Sequence, residues 1–316
     1  MTSADQQIVE ALQVIPWIGK RGARQAQSVF LGEGEYNNVF HVSLHGRVFA
    51  LRLPKPDRLK KSRNYFSEYS NLSWANLYGL GPAIRYFDYE KGILLMDYFP
   101  GQPLHDVNLT EGRLHLLGGL FSRLHQIPVC EYEYDVVGRK IDYLWSRFLK
   151  MPQTLRSKLI QVKSSVDEAR QLLQSTAPDP CFCHNDLRGP NILVDGDEML
   201  LIDWEYSGLG DPDVDVASFA HYMGLSDEQI STLSAGYGGN RSERLRIARI
   251  QVARPVITIY FSLRQAYLHE RTDAPGTKER YMRRAEQRLA DTHDYIQRSH
   301  YQASLQYLQA IQEIKA

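Results

Sequence analysis

The sequence has few cysteines, no long apolar run and no net charge, and each shortage argues against a class of protein. The three cysteines, Cys130, Cys181 and Cys183, are odd in number and lack the Cys-x-x-Cys spacing of redox and zinc motifs. The apolar run VITIYF near the C-terminus is far shorter than the ~20 residues that span a bilayer. Because 37 basic residues balance 37 acidic ones, the total charge favours neither nucleic acid nor an anionic membrane as a partner.

The remaining composition is typical of a globular protein, with 43% hydrophobic and 23% charged residues. The N-terminal segment MTSADQQIVEAL is polar and has no basic-then-apolar signal pattern. A chain of 316 residues suits two lobes or one large α/β unit. We therefore expect a soluble cytoplasmic protein with neither a membrane nor a nucleic-acid partner, in an oligomeric state that the sequence leaves open.

The first hundred residues alternate between apolar and polar positions, as half-buried strands do. The pattern predicts strands at 28–31, 37–44 and 47–53, a helix over 60–79, and two further strands in IRYFDY and ILLMDYF. The proline- and glycine-rich segment FPGQPL follows and is typical of a joint. We expect an α+β N-terminal lobe over 1–99, with a five-stranded antiparallel sheet and one helix.

The segment 100–316 is predicted to be a larger, mainly helical C-terminal lobe, interrupted by strands between 180 and 206. From Val216 onward helices return. We expect breaks in them at Gly236–Gly239, at Pro255 and around Pro275, because glycine and proline disfavour helix interiors.

The stretch HNDLRGPNILVDGDEMLLIDWEY, residues 184–206, has the strongest chemical pattern. Asp195-Gly196 is a hairpin signal, so the chain before it folds back along the chain after it. That folding brings Asn191 close to Asp203, and Asp186 precedes the hairpin by a few residues. Oxygen donors of this kind suit magnesium, and a carboxylate beside them suits a base that takes a proton from a hydroxyl group.

The same stretch resembles the motif pair of small-molecule kinases, namely the choline/ethanolamine kinases, thiamine kinase and aminoglycoside phosphotransferases, which share the two-lobed protein-kinase-like fold. The resemblance is nearest to the choline/ethanolamine kinase branch. It implies ATP as co-substrate and Mg²⁺ as cofactor, with Asp186 as the catalytic base and Asn191 and Asp203 as metal ligands. Arg188 is then a contact to the transferred phosphoryl group, although a surface salt bridge is an open alternative.

Further residues fit the same resemblance in the order in which the family has them. Gly32 and Gly34 resemble its phosphate-binding turn, although such glycines also occur in plain hairpins. Arg52, on an otherwise apolar strand, needs a partner when buried, and Glu68 in the next helix provides one. The strand and joint that hold adenine in this family correspond to Met96, Asp97, Tyr98 and Phe99. His184 and Asp215 correspond to residues that support the catalytic loop.

The phosphate acceptor is expected to be a small hydroxylated molecule, because only eleven residues separate Asp203 from Asp215. No protein-kinase activation loop fits there. The acceptor-binding candidates are Trp204, Glu205, Tyr206 and Tyr260. One departure opposes choline itself: the segment VITIYFSLRQAYLHE lacks the tryptophan pair of choline kinases and carries Arg264.

These observations predict an ATP- and magnesium-dependent phosphotransferase that acts on a hydroxyl group, with a choline- or ethanolamine-type amino alcohol as the first acceptor. An aminoglycoside or other antibiotic, or thiamine, is the alternative acceptor. A nucleotide-binding scaffold without activity and a metal-dependent hydrolase that uses His184, Asp186 and Asp203 are the alternatives from other classes. ATP binding without turnover would indicate the scaffold, and ATP-independent hydrolysis of phosphoesters would indicate the hydrolase.

Overall fold

The structure is a computed structural model that describes residues 3–34, 37–55, 65–128 and 136–315. The chain forms two compact units, Met1–Val107 with Asn191–Glu205, and Asn108–Pro190 with Tyr206–Ala316. The predicted division into lobes 1–99 and 100–316 stays a prediction. Within the described ranges, every helix is too short or too polar to cross a membrane.

The first unit is built on an antiparallel sheet whose strands lie in the order β1-β2-β3-β5-β4. Its strands are β1 (Gln27–Glu33), β2 (Asn37–Leu44), β3 (Arg47–Pro54), β4 (Ile84–Asp88) and β5 (Ile93–Asp97). The helices of this unit are α1 (Ser3–Gln13), α2 (Gly19–Gln25) and α3 (Tyr65–Leu77). This sheet is the predicted five-stranded one.

The sheet forms because apolar side chains alternate along its central strands and one face is covered. Phe40 on β2 is opposite Leu51 on β3, and both are buried. Leu12 and Ile15, in and after α1, belong to the same apolar cluster. Because side chains alternate between the two faces of a strand, the apolar residues of the sheet lie on one face, and helix α1 covers that face.

The predicted hairpin is also part of the first unit. It consists of β8 (Ile192–Asp195) and β9 (Glu198–Leu201), and β6 (Gln102–Pro103) pairs with β8. The two-residue loop begins at Gly196, whose φ is +60°. Positive φ at the first loop residue is what a type II′ turn requires, and glycine adopts it without a Cβ penalty.

The second unit is mainly helical, as predicted, and contains one short strand pair. The pair is β7 (Cys181–Cys183) with β10 (Gly208–Gly210). Its helices are α4 (Glu111–Leu124), α5 (Val136–Ser146), α6 (Gln153–Ser175), α7 (Pro212–Tyr222), α8 (Asp227–Tyr237), α9 (Glu243–Glu270), α10 (Pro275–Ile296) and α11 (Ser299–Lys315).

Helices α9 and α3 differ in how they compare with the sequence-based predictions. The predicted break at Pro255 is wrong, since α9 runs through it. Pro255 and residues on both sides of it are buried, so packing along the whole helix outweighs the loss of one backbone hydrogen bond. The helix predicted over 60–79 is present as α3, while its first residues, up to 64, lie outside the described part of the chain.

Candidate active site

A buried ion pair links the central sheet of the first unit to α3. Arg52 on β3 donates from Nη2 to Oε2 of Glu68 at 2.9 Å, and Nη1 bonds the other carboxylate oxygen. Burial tends to lower the pKa of Arg52, but the charge and hydrogen bonds of Glu68 raise it, and the charges of Asp203 and Glu205 add to this rise. The predicted pair is therefore present, and the guanidinium group stays charged.

The hairpin brings together the two predicted metal ligands. The N–H of Ile202 donates to the backbone oxygen of Asn191 at 2.9 Å, so that Asn191 is level with the residue before Asp203. Asp203 has φ of +69°, a left-handed conformation that is uncommon outside glycine and is found where function constrains the backbone. One amide oxygen and one carboxylate form a hard oxygen donor set, which fits magnesium.

Gly32 and Gly34 lie at the end of β1 and just after it. A Cβ at Gly32 would meet no atom within 4 Å, and one at Gly34 would approach only Asn37 O, at 3.8 Å. Packing within the described residues thus does not require either glycine. A role in close approach to phosphate stays a prediction, and part of that turn, residues 35 and 36, lies outside the described chain.

The predicted adenine segment comprises the last two residues of β5, Met96 and Asp97, and the two residues after it. The N–H of Asp97 donates to Ala83 O at 2.9 Å and its carboxylate pairs with Arg85. Because both groups already have protein partners, the N–H and the carboxylate of Asp97 are not proposed to hydrogen-bond adenine. Tyr98 packs edge-on against His41, with ring centroids 4.7 Å apart. The roles of Met96, Asp97, Tyr98 and Phe99 in nucleotide binding stay predictions.

Of the three residues that follow Asp203, the first two differ in their exposure to solvent. Trp204 is only 1% exposed, and its indole N–H donates to Leu201 O at 3.0 Å. Asn71 of α3 also approaches the carbonyl of Trp204. Because an acceptor in solution has no access to so buried a ring, we correct the prediction and treat Trp204 as a packing residue. Glu205 is partly exposed and stays an acceptor candidate.

In the second unit, Asp186 lies in the loop after β7 and is largely buried. Its Oδ2 is 3.0 Å from Nε of Arg188, so these two residues form an ion pair. Arg188 is therefore next to the proposed base. Its contact to a phosphoryl group stays a prediction.

Asp215 in α7 supports that loop. Its carboxylate accepts hydrogen bonds from the N–H groups of His184 and Asn185, both at 2.8 Å. Asn185 has φ of +59°, so the loop turns sharply immediately before Asp186. Two charge-assisted bonds to consecutive N–H groups fix this turn. The supporting contact expected of Asp215 is present, while a specific role for the buried His184 ring stays a prediction.

Sequence reasoning missed His125, at the end of α4, which completes this support. His125 Nε2 is 3.2 Å from the Asp215 carboxylate, and Nδ1 is 2.8 Å from the hydroxyl of Tyr237. Burial lowers the pKa of His125, but the bond to Asp215 and nearby acidic charges outweigh this and raise it. The available signal was a histidine in the segment SRLHQI, at the end of a helix whose periodicity is otherwise apolar.

Two predicted acceptor residues lie in the second unit. Tyr206 is half-buried, its carbonyl accepts from Asn185 Nδ2 at 3.0 Å, and Lys140 Nζ lies 3.5 Å from its ring centroid. Tyr260 on α9 packs against Phe261, with ring centroids 4.8 Å apart. Their contact with an acceptor stays a prediction.

The chain belongs to the Phosphotransferase enzyme family (APH), which it matches over residues 29–248. Protein LicA of Haemophilus influenzae is 25% identical over 233 residues, which is 72% of this chain and 67% of that protein. Choline/ethanolamine kinase of Homo sapiens is 30% identical over 145 residues, 42% of this chain and 34% of the kinase.

Solved structures show the same fold. A choline/ethanolamine kinase family protein from Mesorhizobium loti has a TM-score of 0.78 at 20% identity, covering 96% of this chain and 98% of that one. Spectinomycin phosphotransferase APH(9)-Ia has a TM-score of 0.63 at 14% identity, covering 93% and 98%. The predicted protein-kinase-like fold and the class of small-molecule kinase are confirmed.

Proposed function

We propose that the protein transfers the γ-phosphate of ATP to a hydroxyl group of a small molecule. The observation that carries this proposal is the buried ion pair between Arg52 and Glu68. The negative charges of Asp203 and Glu205 also stabilise the charged form of Arg52. A buried arginine that is held in a fixed orientation suits the binding of nucleotide phosphates, since its planar N–H groups match phosphate oxygens. Membership of the phosphotransferase family supports the same activity.

In the proposed reaction, the acceptor hydroxyl oxygen attacks the γ-phosphorus as the bond to the β,γ-bridging oxygen breaks. Asp186 accepts the proton of that hydroxyl, and ADP leaves with the electron pair of the broken bond. Arg188 and Arg52 stabilise charge on the phosphate oxygens. Positioning and fixed charges account for most of the rate enhancement in such transfers.

Asn191 and Asp203 are the proposed ligands of magnesium, which when bound supplies positive charge beside the phosphates. The remaining residues act through position. Asp215 holds the backbone of the loop that carries Asp186, and Glu68 fixes the Arg52 guanidinium. Fixed groups of this kind need no reorganisation during the reaction.

We expect Asp186→Asn to abolish phosphoryl transfer while leaving nucleotide affinity within about twofold, because the amide cannot accept the proton. A general base contributes roughly 10²–10⁴-fold to a rate. Coupled ADP release with choline, ethanolamine, thiamine, aminoglycosides, macrolides, simple sugars, hydroxycarboxylates and sugar phosphates would measure activity, and fluorescence titration with MgADP would measure affinity. Asp179→Asn, which changes an exposed carboxylate, is the matched control.

Two outcomes would contradict the proposal. Retention of most of the activity in Asp186→Asn would remove Asp186 as the base. Nucleotide binding by the wild type without ADP release for any hydroxyl compound, anionic ones included, would indicate a binding scaffold instead.

A further inference from the structure

The charges of three arginines and one carboxylate act on a single tyrosine of the second unit, Tyr222. Burial raises the pKa of Tyr222, and the charge of Asp186 adds to this effect. The positive charges of Arg188, Arg288 and Arg264 oppose it. All four charged groups therefore lie within electrostatic reach of one phenol, and one of them is the proposed base.

Arg288 of α10 is held in place by neighbours that carry no charge. Its Nη1 donates to His221 Nε2 at 3.1 Å, and its guanidinium carbon lies 5.2 Å from the ring centroid of Phe261. Phe261 also packs against Tyr222, with centroids 4.6 Å apart. The arginine thus contacts both the imidazole of His221 and the ring of Phe261, and Phe261 packs on Tyr222.

His221 accepts this hydrogen bond because it is neutral. Burial, together with the charges of Arg288 and Arg254, lowers the pKa of His221 to about 4. Since Nε2 must accept from Arg288, the proton of the neutral ring is on Nδ1, which donates to Thr258 Oγ1 at 3.2 Å. Neither partner of Arg288 neutralises its charge.

No nearby carboxylate of the described residues neutralises Arg288 by direct pairing. Within the described residues, no carboxylate forms an ion pair with Arg288, and Asp291, one turn along α10, acts on it only at longer range. Asp186 is already paired with Arg188. Arg288 therefore places a positive charge near Tyr222 that no carboxylate among the described residues pairs with.

We propose that the phosphate acceptor carries an anionic group, a carboxylate or a phosphate ester, which Arg288 binds with the help of Arg264 beside Asp186. This inference rests on the proposed phosphotransferase function and specifies its substrate class. An arginine that uses one N–H on His221 retains others for oxygen atoms in the plane of its guanidinium, which suits both kinds of anion.

The aromatic rings argue against a quaternary ammonium acceptor. Such a cation needs the open face of an aromatic ring. The chain's own cations lie over two rings of this unit: Arg288 lies over Phe261, which packs on Tyr222, and Lys140 lies over the acceptor candidate Tyr206. A choline-like group would meet like charges at those faces, whereas an anion would meet opposite charges.

Small probes test this without knowledge of the true acceptor. Succinate represents a carboxylate, methyl phosphate a phosphate ester, and tetramethylammonium the choline head, each titrated calorimetrically onto the full chain with saturating MgADP. We expect at least one anion to bind and tetramethylammonium not to bind. Arg288→Gln should weaken anion binding at least tenfold. Which anion binds more tightly identifies the acceptor's charged group.

Arg283→Gln on the same helix is the matched control, because its side chain is 74% exposed. We expect it to change anion affinity less than twofold. Arg288→Lys, which keeps the charge but loses the planar fork, should weaken binding less than Arg288→Gln does. It keeps the test valid if the glutamine variant folds poorly.

Three results would overturn the inference: tighter binding of tetramethylammonium than of either anion, no binding of any probe, or unchanged anion affinity in Arg288→Gln. The anionic acceptor can be refuted without refuting the proposed phosphotransferase activity. Phosphorylation of choline or ethanolamine at a higher kcat/KM than hydroxycarboxylates or sugar phosphates would refute the anionic acceptor and still confirm a kinase.

Discussion

At the scale of single residues, His221 shows how burial sets a protonation state. Its ring lies between Arg288 Nη1 and Thr258 Oγ1, and burial together with nearby arginines lowers its pKa to about 4. In the unfolded chain an ordinary histidine takes up its proton near pH 6.5. Between about pH 4 and pH 6.5, therefore, His221 is neutral in the folded protein and protonated in the unfolded chain.

This difference predicts how stability depends on pH. The unfolded state binds more protons between pH 6.5 and about 4, so the free energy of unfolding falls as pH falls through that window. The contribution of His221 to the free energy of unfolding is fully present above pH 6.5, and it falls by roughly 3 kcal/mol once the pH is below about 4. Urea unfolding of His221→Gln at several pH values should give a shallower pH dependence than the wild type.

His105→Gln, which replaces an exposed histidine, provides the control. We expect its pH dependence to match that of the wild type. An equal slope for His221→Gln and the wild type between pH 4 and 6.5 would show that His221 is not held neutral.

At the scale of secondary structure elements, the packing of α4 against α8 depends on two glycines. An added Cβ at Gly118 would lie 2.1 Å from Leu233 O, and one at Gly236 would lie 2.1 Å from His115 O. The two helix backbones therefore touch. This contact also positions Tyr237 at the end of α8, whose hydroxyl is 2.8 Å from the His125 ring.

We predict that Gly118→Ala destabilises the protein by roughly 1–3 kcal/mol, because the backbones would have to separate. Gly119→Ala in the same helix should be neutral or stabilising by up to about 1 kcal/mol, since a Cβ there meets only Gly236 O at 3.8 Å. Urea unfolding measures both variants. Equal effects of the two substitutions would show that the contact between α4 and α8 is not tight.

At the scale of the whole molecule, nucleotide binding should stabilise the fold, because a ligand that binds only the native state shifts the unfolding equilibrium. At a ligand concentration of 100 Kd the gain is about 2.7 kcal/mol. We expect MgADP to raise the melting temperature of the wild type and of Asp186→Asn by similar amounts, and we expect EDTA to reduce this gain.

Arg52→Ala should lose most of this shift when compared with its own ligand-free melting temperature, because the variant lacks the cation proposed to bind the phosphates. Arg47→Ala, which removes an exposed arginine from the same strand, should keep the shift. A full shift in Arg52→Ala would exclude Arg52 from the nucleotide site.

Much of the fold and part of the site could be predicted from local patterns. Strands β1–β3 show a period-two alternation of apolar and polar residues, and the hairpin around Gly196 contains a turn dipeptide. Both features were predictable because each is encoded by residues that are close together in the sequence. The Arg52–Glu68 pair was predictable because a charge on an apolar strand requires a partner. The continuation of α9 through Pro255 was not, because packing along the whole helix decides it.

The sequence by itself determined the family, the order of the motifs and the chemical types of the proposed catalytic and metal-binding residues, since these depend on short-range spacing. Only the tertiary structure showed that Trp204 is buried, that His125 contacts Asp215, and that Arg288 contacts both His221 and Phe261. These residues are far apart along the chain. Their environments follow from which helix faces pack together, and no local pattern encodes that choice.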